Sequence, residues 1–553
     1  MAGQSRKWMI LMASIWIQAF TGTNFDFSAY SSELKKVLQV SQVELNYLAT
    51  ASDLGKAFGW SSGLALVYFP LWIVMFIAAF MGFFGYGLQW LLIRRIITLP
   101  YFLVFLLCLL AGCSISWFNT VCFVLCIQNF PRSRPLAISL TVSFNGVSAA
   151  LYNLAAKAIN PSSYDLYLLL NASVPLFTSI AALIPILRQP PISPLHSDIT
   201  RHDHFIFIVL NIFAVITGLY LLLAPSNHAK LFFSGAIVLL ILPLGIPGMV
   251  YGRNWFKHAI YPKILVKGSS FVFADADDLD LCKELLDGNH DTTVVVHNDD
   301  NGIENVQDGT TRKGCWEMMI KSDRLVMLEE EHDTKRLLCR IDFWLYYFAY
   351  FCGGTIGLVY SNNLGQIAQS LGLSSSTSTL ITLYSSFSFF GRLLSAAPDF
   401  LRMKLYLART GWLAIALVPT PLALLVLSMT EAEVALQIGT SLIGLSSGFI
   451  FSAAVSITSE LFGPRSVGVN HNILITNIPV GSLVYGLLSA LVYDANAVSY
   501  RGSLVCMGRE CYFVTFVWWG CVSVLGLFSS VLLFLRTRRA YDRFERNRAC
   551  LVS

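Results

Sequence analysis

The sequence predicts an all-α polytopic membrane protein with two six-helix bundles plus two extra helices, about 14 transmembrane helices in total. Composition is the first reason. Of 553 residues, 55% are hydrophobic and 13% are charged, whereas soluble proteins carry about 25% charged residues. The second reason is a series of long apolar runs. The third is an internal repeat, because the last six runs resemble the first six at an offset of about 330 residues.

Short identities at corresponding places in the two halves define this repeat. Tyr30-Ser31 aligns with Tyr360-Ser361. After a small slip in register, Pro131-Arg132-Ser133 aligns with Pro464-Arg465-Ser466, and Tyr152 aligns with Tyr485. The shared offset predicts two related bundles that face each other across a membrane, as in many transporters.

The predicted spans each contain about 20 residues or more, enough to cross a hydrocarbon core of about 30 Å. They are 8–29, 44–67, 71–92, 100–127, 136–158, 166–187, 204–224, 230–251, 341–361, 376–397, 404–427, 432–458, 467–492 and 512–535. The pair at 204–251 is additional to a six-plus-six arrangement. The alternative is twelve spans, with that pair lying in the membrane interface.

Five regions follow from these spans. They are an N-terminal six-helix bundle at 1–190, two additional transmembrane helices at 191–252, a cytosolic acidic loop at 253–339, a C-terminal six-helix bundle at 340–536 and a basic cytosolic tail at 537–553. The loop holds 17 acidic and 5 basic residues between Gly268 and Asp333, a composition typical of a disordered linker.

Charge distribution predicts the orientation. Lys and Arg concentrate on the side that holds both termini, which is therefore predicted to be cytosolic. Arg94 and Arg95 on the opposite side are the exception. Cys506 and Cys511 share a polar loop on that opposite side, and a disulfide between them is one of two open alternatives. The expected location is the plasma membrane or the vacuolar membrane.

Polar side chains at membrane depth are costly and indicate a functional site. Asp53 and Lys56 lie three residues apart in the second predicted span, hence on one helix face. Lys56 is the expected cation for an anionic substrate, and Asp53 or Asp26 the carboxylate whose protonation couples to transport. The alternative is an internal ion pair that only fixes helix packing. Further expected lining residues are Gln18, Asn24, Asn119 and Asn145.

A second pattern lies at the end of the second span of the C-terminal half. Gly391-Arg392 is followed by Asp399 and Arg402. This stretch resembles the loop motif of the major facilitator superfamily, in which a glycine, an acid and basic residues brace the cytosolic gate. Arg392, Asp399 and Arg402 are accordingly expected to be gating residues. The sequence departs from the motif at Ser395-Ala396-Ala397, where a second glycine is common, and the N-terminal half lacks the motif.

A family resemblance rests on six stretches: Trp16-Ile17-Gln18, Gly22-Thr23-Asn24-Phe25, Tyr30-Ser31-Ser32-Glu33-Leu34-Lys35, Asp53-Leu54-Gly55, Trp117-Phe118-Asn119-Thr120 and Asn129-Phe130-Pro131. They resemble the plant nodulin-like branch of the major facilitator superfamily, which includes the nuclear-fusion-defective type proteins. The resemblance implies the major facilitator fold and a distant similarity to oxalate/formate antiporters and monocarboxylate carriers. A basic residue such as Lys56 at mid-depth agrees with that implication.

The expected function is transport of a small solute, an organic anion or monocarboxylate with proton coupling, by alternating access. The alternative is a non-transporting membrane receptor or structural protein that acts through its cytosolic loop and tail. The sequence contains no glycine-rich phosphate loop, Cys/His metal spacing or hydrolase nucleophile motif, so no enzyme activity, cofactor or metal site is expected. Expected partners are a small-molecule substrate, membrane lipid and protons, and no nucleic acid.

Overall fold

The computed structural model describes residues 2–130, 133–160, 165–188, 199–223, 228–250, 252, 325, 327–401, 407–464, 466–500 and 503–552. Most of the predicted acidic loop, the gating residue Arg402 and parts of the Pro-Arg-Ser triplets lie outside these residues.

The first half of the chain forms a helical bundle with two additional helices. Its helices are α1 (Ala2–Thr21), α2 (Phe27–Leu38), α3 (Gln42–Ala57), α4 (Trp60–Tyr68), α5 (Leu71–Ile93), α6 (Tyr101–Asn129), α7 (Arg134–Ile159), α8 (Leu166–Leu187), α9 (Ile199–Leu222) and α10 (Ala229–Ile241). A 3₁₀ turn at Thr23–Asp26 separates α1 from α2, and another at Leu242–Leu244 follows α10.

The second half repeats this arrangement without the additional pair. Its helices are α11 (Thr334–Leu338), α12 (Ile341–Ser370), α13 (Thr377–Leu394), α14 (Ala397–Leu401), α15 (Arg409–Leu417), α16 (Pro419–Met429), α17 (Glu433–Phe462), α18 (Val467–Ile475), α19 (Asn477–Ala495) and α20 (Phe513–Val552). Between α19 and α20, β1 (Val498–Tyr500) pairs antiparallel with β2 (Ser503–Val505). Because α20 continues to Val552, the predicted tail is largely helical.

Within the described residues, 11 segments are long and apolar enough to cross a membrane. The remaining predicted spans correspond to α1, to α3 with α4, and to α12. These helices carry more polar residues, and many of those side chains are buried inside the bundle. Their lower hydropathy is therefore explained by protein-facing positions. The all-helical membrane architecture agrees with the sequence, while the total of 14 spans stays a prediction.

Close helix crossings occur at equivalent glycines in the two halves. A Cβ built on Gly112 of α6 would lie 1.8 Å from the Ser52 carbonyl oxygen of α3. A Cβ on Gly448 of α17 would lie 2.1 Å from the Ser388 carbonyl oxygen of α13. Gly448 follows Gly112 by 336 residues (448 minus 112), and Ser388 follows Ser52 by the same number (388 minus 52). Only glycine permits such backbone contact, so the repeat is also present in the helix packing.

Two seams join the halves. In the first seam α3 packs against α19, and in the second α7 packs against α13. In the second seam, Asn153 Nδ2 donates to Thr382 Oγ1 at 2.7 Å, and Ser385 Oγ donates to the Gly146 carbonyl at 2.6 Å. Polar contacts between helices thus hold both bundles together at their interface.

The additional helices cover the second seam. α9 packs against both α7 and α13, and α10 packs against α7. Trp16 Nε1 of α1 donates to the Leu240 carbonyl of α10 at 2.9 Å. The outer surfaces of both helices carry exposed apolar side chains such as Phe205 and Leu231. The pair therefore forms an additional lipid-facing layer of the bundle.

The two ends of the bundle differ, and we name them by their short helices. The α2 face holds α2, the β-hairpin and a disulfide between Cys506 and Cys511. There Asp494 accepts hydrogen bonds from the backbone N–H groups of Gln42 and Val43 at 3.3 and 3.2 Å, at the start of α3. Partial burial lowers the pKa of nearby Lys35, opposed by the Asp494 carboxylate. The opposite end, the α14 face, holds α11, α14 and the end of α20.

Replacing either crossing glycine should separate its two helices. We expect Gly112→Ala or Gly448→Ala to destabilise the fold by about 1–3 kcal/mol, because the new methyl group overlaps backbone atoms. Gly63→Ala is the matched control, since a Cβ there meets nothing within 4 Å. Thermal unfolding of purified protein in detergent measures the effect. A melting temperature unchanged by all three substitutions would contradict the described crossings.

Candidate functional site

A buried ion pair lies at the first seam. Lys56 Nζ donates to Asp53 Oδ1 at 2.5 Å, and both residues are on α3 as their spacing predicts. Lys56 is 9% exposed and Asp53 is 1% exposed. The other Asp53 oxygen, Oδ2, accepts a hydrogen bond from Ser482 Oγ on α19. Asp53 therefore connects the cation of its own helix with a hydroxyl of the other half.

A narrow cavity lies beside this pair. Its lining residues with polar side chains are Asn24, Tyr30, Ser52, Asp53, Tyr86, Gln89 and Asn362. Phe27 and Ala111 contribute apolar surface. Asn362 comes from α12, so residues of both halves line the cavity. Asn24 and Asp53 belong to the set expected from the sequence, whereas Tyr86, Gln89 and Asn362 do not.

Arg392 is a second buried cation, 3% exposed. Its Nη1 donates to the Val142 carbonyl and to Asn145 Oδ1, both at 3.0 Å. The guanidinium lies 5.2 Å from the centre of the Phe25 ring. In the described part of the chain, no carboxylate lies within ion-pair distance of Arg392, and its Nε is buried without a hydrogen-bond partner.

Arg392 and Lys56 occupy equivalent positions in the repeat. They are separated by 336 residues (392 minus 56), and each directly follows a crossing glycine, Gly391 or Gly55. A Cβ on Gly55 would lie 2.0 Å from the Leu109 carbonyl oxygen, and one on Gly391 would lie 2.1 Å from the Leu445 carbonyl oxygen. The fold thus places one cation from each half at the same depth of its own bundle.

Three of the remaining expected lining residues lie in other hydrogen-bonded contacts. Gln18 Nε2 donates to Asn119 Oδ1 at 2.9 Å, which joins α1 to α6. Asp26 is fully buried, and its Oδ1 accepts from Asn171 Nδ2 at 3.1 Å. The other carboxylate oxygen of Asp26 has no partner. Within the described residues, Asp26 is thus a buried acid with no basic side chain bound to it.

The expected gating residues separate into two places. Arg392 binds Asn145 at the second seam, whereas Asp399 lies in a charge cluster on the α14 face. There Arg409 Nη2 donates to Asp399 Oδ1 and Arg409 Nε donates to Glu460 Oε1, both at 2.9 Å. Tyr541 Oη of α20 donates to the second Glu460 oxygen at 2.8 Å. Arg402 lies outside the described residues.

Sequence reasoning did not identify Arg409 and Glu460, although both are charged residues at helix ends. The repeat contained no signal for them, because neither residue belongs to the matching stretches. Gln89 and Asn362 had a clearer signal, since each is an amide inside an apolar run. Ser482 had none, because a serine in an apolar helix commonly bonds its own backbone.

Comparisons with known proteins agree with this architecture. The Nodulin-like family matches residues 7–248, and the NFD4 C-terminal domain matches residues 326–543. Protein NUCLEAR FUSION DEFECTIVE 4 of Arabidopsis thaliana is 58% identical, covering 100% of this chain and 92% of that relative. The probable transporter MCH1 of Yarrowia lipolytica is 32% identical over 32% of this chain and 38% of its own length. A solved peptide transporter, POT in complex with sulfate, is 11% identical with a TM-score of 0.54, covering 97% of this chain and 94% of that chain. At that identity the similarity concerns the fold alone.

Removing one partner of the ion pair should cost more than removing both. We expect Lys56→Met to destabilise the protein by about 3 kcal/mol, because Asp53 then stays buried without its cation. The neutral pair Asp53→Asn/Lys56→Gln should recover most of that loss, since its amides retain polar contacts. Unfolding of the purified variants in detergent compares them. A double variant less stable than Lys56→Met would contradict a direct ion pair.

Proposed function

The chain belongs to the Nodulin-like family, and from that premise we propose that it carries a small organic anion of the monocarboxylate type across its membrane. Transport is coupled to protons and proceeds by alternating access between its two halves. The observation that carries this proposal is Arg392, a buried cation beside the interface whose charge no described carboxylate neutralises.

Electrostatics supports an anionic solute. A charge in a low-dielectric interior is costly unless an opposite charge pairs with it. Among the described residues, Arg392 contacts only neutral oxygen atoms and aromatic rings. A guanidinium suits carboxylates because its planar N–H groups fit both oxygens. Phe25 packs against the guanidinium and directly follows the cavity-lining residue Asn24 in the chain.

The Asp53–Lys56 pair supports proton coupling. A substrate carboxylate that binds Lys56 competes with Asp53 for the same ammonium group. If Asp53 then takes up one proton, the buried charge stays unchanged when one monoanion enters. This charge balance predicts that one proton is transported with each anion, so that transport moves no net charge across the membrane. Asp26 is the second candidate proton carrier, because it is buried and one of its carboxylate oxygens has no hydrogen-bond partner among the described residues.

The position of Asp53 at the first seam supports alternating access. Any movement of α3 against α19 changes the hydrogen bond between Asp53 and Ser482. Protonation of Asp53 and movement of the seam are therefore coupled, since each alters the free energy of the same contact. The seams separate twin bundles, which is the arrangement in which transporters move one repeat against the other.

We also propose 14 spans, with both termini and the α14 face in the cytosol. The disulfide between Cys506 and Cys511 favours an oxidising compartment at the α2 face. The arginine-rich end of α20 favours the cytosol at the other. In this proposal the cytosolic gate lies at the α14 face, where the salt bridge between Arg409 and Asp399 joins α15 to α14. The membrane is the plasma membrane or the vacuolar membrane.

Flux measurements on the neutral pair test the proposal. We expect Asp53→Asn/Lys56→Gln to reduce proton-driven uptake of monocarboxylates into proteoliposomes by at least about tenfold, while its stability stays close to that of the unaltered protein. The control is Lys7→Gln/Asp203→Asn. It removes a salt bridge in which Lys7 Nζ lies 2.6 Å from Asp203 Oδ2, and neither residue lines the cavity. A panel of labelled organic anions and cations, with and without a pH gradient, identifies the solute class. Full uptake by the first variant would refute the proposed coupling site.

Substitutions of Arg392 distinguish substrate binding from proton coupling. We expect Arg392→Gln to lose uptake and exchange, whereas Arg392→Lys keeps the charge and retains part of both. The physical reason is that a neutral amide removes the guanidinium that pairs with the substrate carboxylate, so that Lys56 is its remaining cation. Exchange of labelled for unlabelled anion at equal pH provides the readout. Equal exchange by Arg392→Gln and the unaltered protein would show that the anion does not bind this residue.

A further inference from the structure

Exposed arginines follow the point where α20 leaves the apolar part of the bundle. α20 contains 40 residues, which is about 60 Å at 1.5 Å per residue and about twice the thickness of a hydrocarbon core. Its exposed apolar side chains end at Leu535. Beyond it, Arg538, Arg539, Arg543 and Arg546 are exposed.

These arginines continue the lipid-facing side of the helix. Phe528 and Leu535 are 63% and 50% exposed and lie seven residues apart on one face. Arg539, Arg543 and Arg546 follow Leu535 at intervals of four, four and three residues, which keeps them on the same face. The first turn beyond Leu535 lies at the depth of the lipid headgroups, because the polar layer on each side adds about 5–7 Å to the hydrocarbon core.

We propose that this arginine row binds the headgroups of anionic phospholipids in the leaflet at the α14 face. Guanidinium groups form paired hydrogen bonds with phosphate oxygens. Basic clusters next to a transmembrane helix attract anionic lipids by about 1 kcal/mol per residue, or about fivefold in affinity. Asp542 and Glu545 lie in the same stretch, and the four exposed arginines outnumber them.

The opposite side of α20 is fixed to the bundle, so the row keeps its orientation. Thr537 and Thr410 hydroxyls are 2.9 Å apart, and Arg536 Nε lies 2.5 Å from Asp342 Oδ1. Tyr541 is 6% exposed and bonds Glu460. A helix that bends freely would present no fixed face, whereas these contacts direct the arginines outward toward the surrounding leaflet.

The same contacts connect the lipid surface to the charge cluster of the α14 face. Tyr541 donates to Glu460, and Glu460 accepts from Arg409, which also binds Asp399. A lipid that holds α20 in place therefore stabilises the cluster that braces the ends of α14 and α15. The proposal is independent of the solute, because it concerns stability and lipid binding alone.

Short-chain lipids test the surface on the full-length protein. We expect dioctanoyl phosphatidylserine, titrated into protein in neutral detergent, to bind more tightly than dioctanoyl phosphatidylcholine in native mass spectra. Replacing Arg538, Arg539, Arg543 and Arg546 by Gln should weaken phosphatidylserine binding on the order of a hundredfold at low salt. The control Lys36→Gln/Arg95→Gln removes two exposed cations from the α2 face and should bind normally. Equal affinity for the two lipids, or full binding by the quadruple variant, would overturn the proposal.

Tyr541→Phe tests the connection to the α14 face. The variant keeps all four arginines and should bind phosphatidylserine with unchanged affinity. It lacks the hydroxyl that reaches Glu460, so the lipid should raise its melting temperature by less than half the rise seen in the unaltered protein. The melting temperature of each variant without lipid confirms that it is folded. An undiminished rise in Tyr541→Phe would exclude this connection.

Discussion

Burying charge where water is absent is the constraint on which the structure depends. Lys56 meets it with a carboxylate three residues away, and Arg392 meets it with carbonyl and amide oxygens across the second seam. Such groups can be held only where backbone and side-chain partners surround them, because acyl chains offer none. Both cations consequently lie beside glycine crossings, where neighbouring helices come closest. The positions of the charges and the close packing of the helices are thus parts of one arrangement.

The repeat produces two similar bundles that differ in the surroundings of one equivalent cation, Lys56 in the first and Arg392 in the second. The N-terminal bundle carries a cation with its own carboxylate, whereas the C-terminal bundle carries a cation without one in the described residues. This asymmetry leaves Arg392 as a buried cation that no described carboxylate pairs with, although the backbone arrangement is shared. It also explains why proton and anion are assigned to different residues in the proposed cycle. In that cycle Asp53 carries the proton and bonds Ser482 across the first seam, whereas the guanidinium of Arg392 binds the anion.

Local patterns predicted the elements that depend on periodicity and length. The apolar runs indicated the helices, and the three-residue spacing of Asp53 and Lys56 indicated their pairing. Predictions for Asn24 and Asp53 placed them near a polar interior, where both line the cavity. The first predicted span ended at residue 29, whereas α1 ends at Thr21 and is followed by a 3₁₀ turn and α2. The motif-based grouping of Arg392 with Asp399 is not reproduced in space. Arg392 donates to the side-chain amide of Asn145 on α7, whereas Asp399 pairs with Arg409, which lies outside the motif.

The sequence by itself determined the membrane class and the family, and it predicted the duplicated plan and the burial of the charged residues, since hydropathy, spacing and short motifs are local properties. Only the tertiary structure decided which partners those residues have. Ser482 reaches Asp53 from 429 positions away, and Asn145 reaches Arg392 from 247. Such contacts depend on how two bundles meet, and a seam is formed by whole helix faces rather than by any short stretch. The same reason explains the hydrogen bond between Tyr541 and Glu460, which joins the end of α20 to the end of α17 across 81 positions.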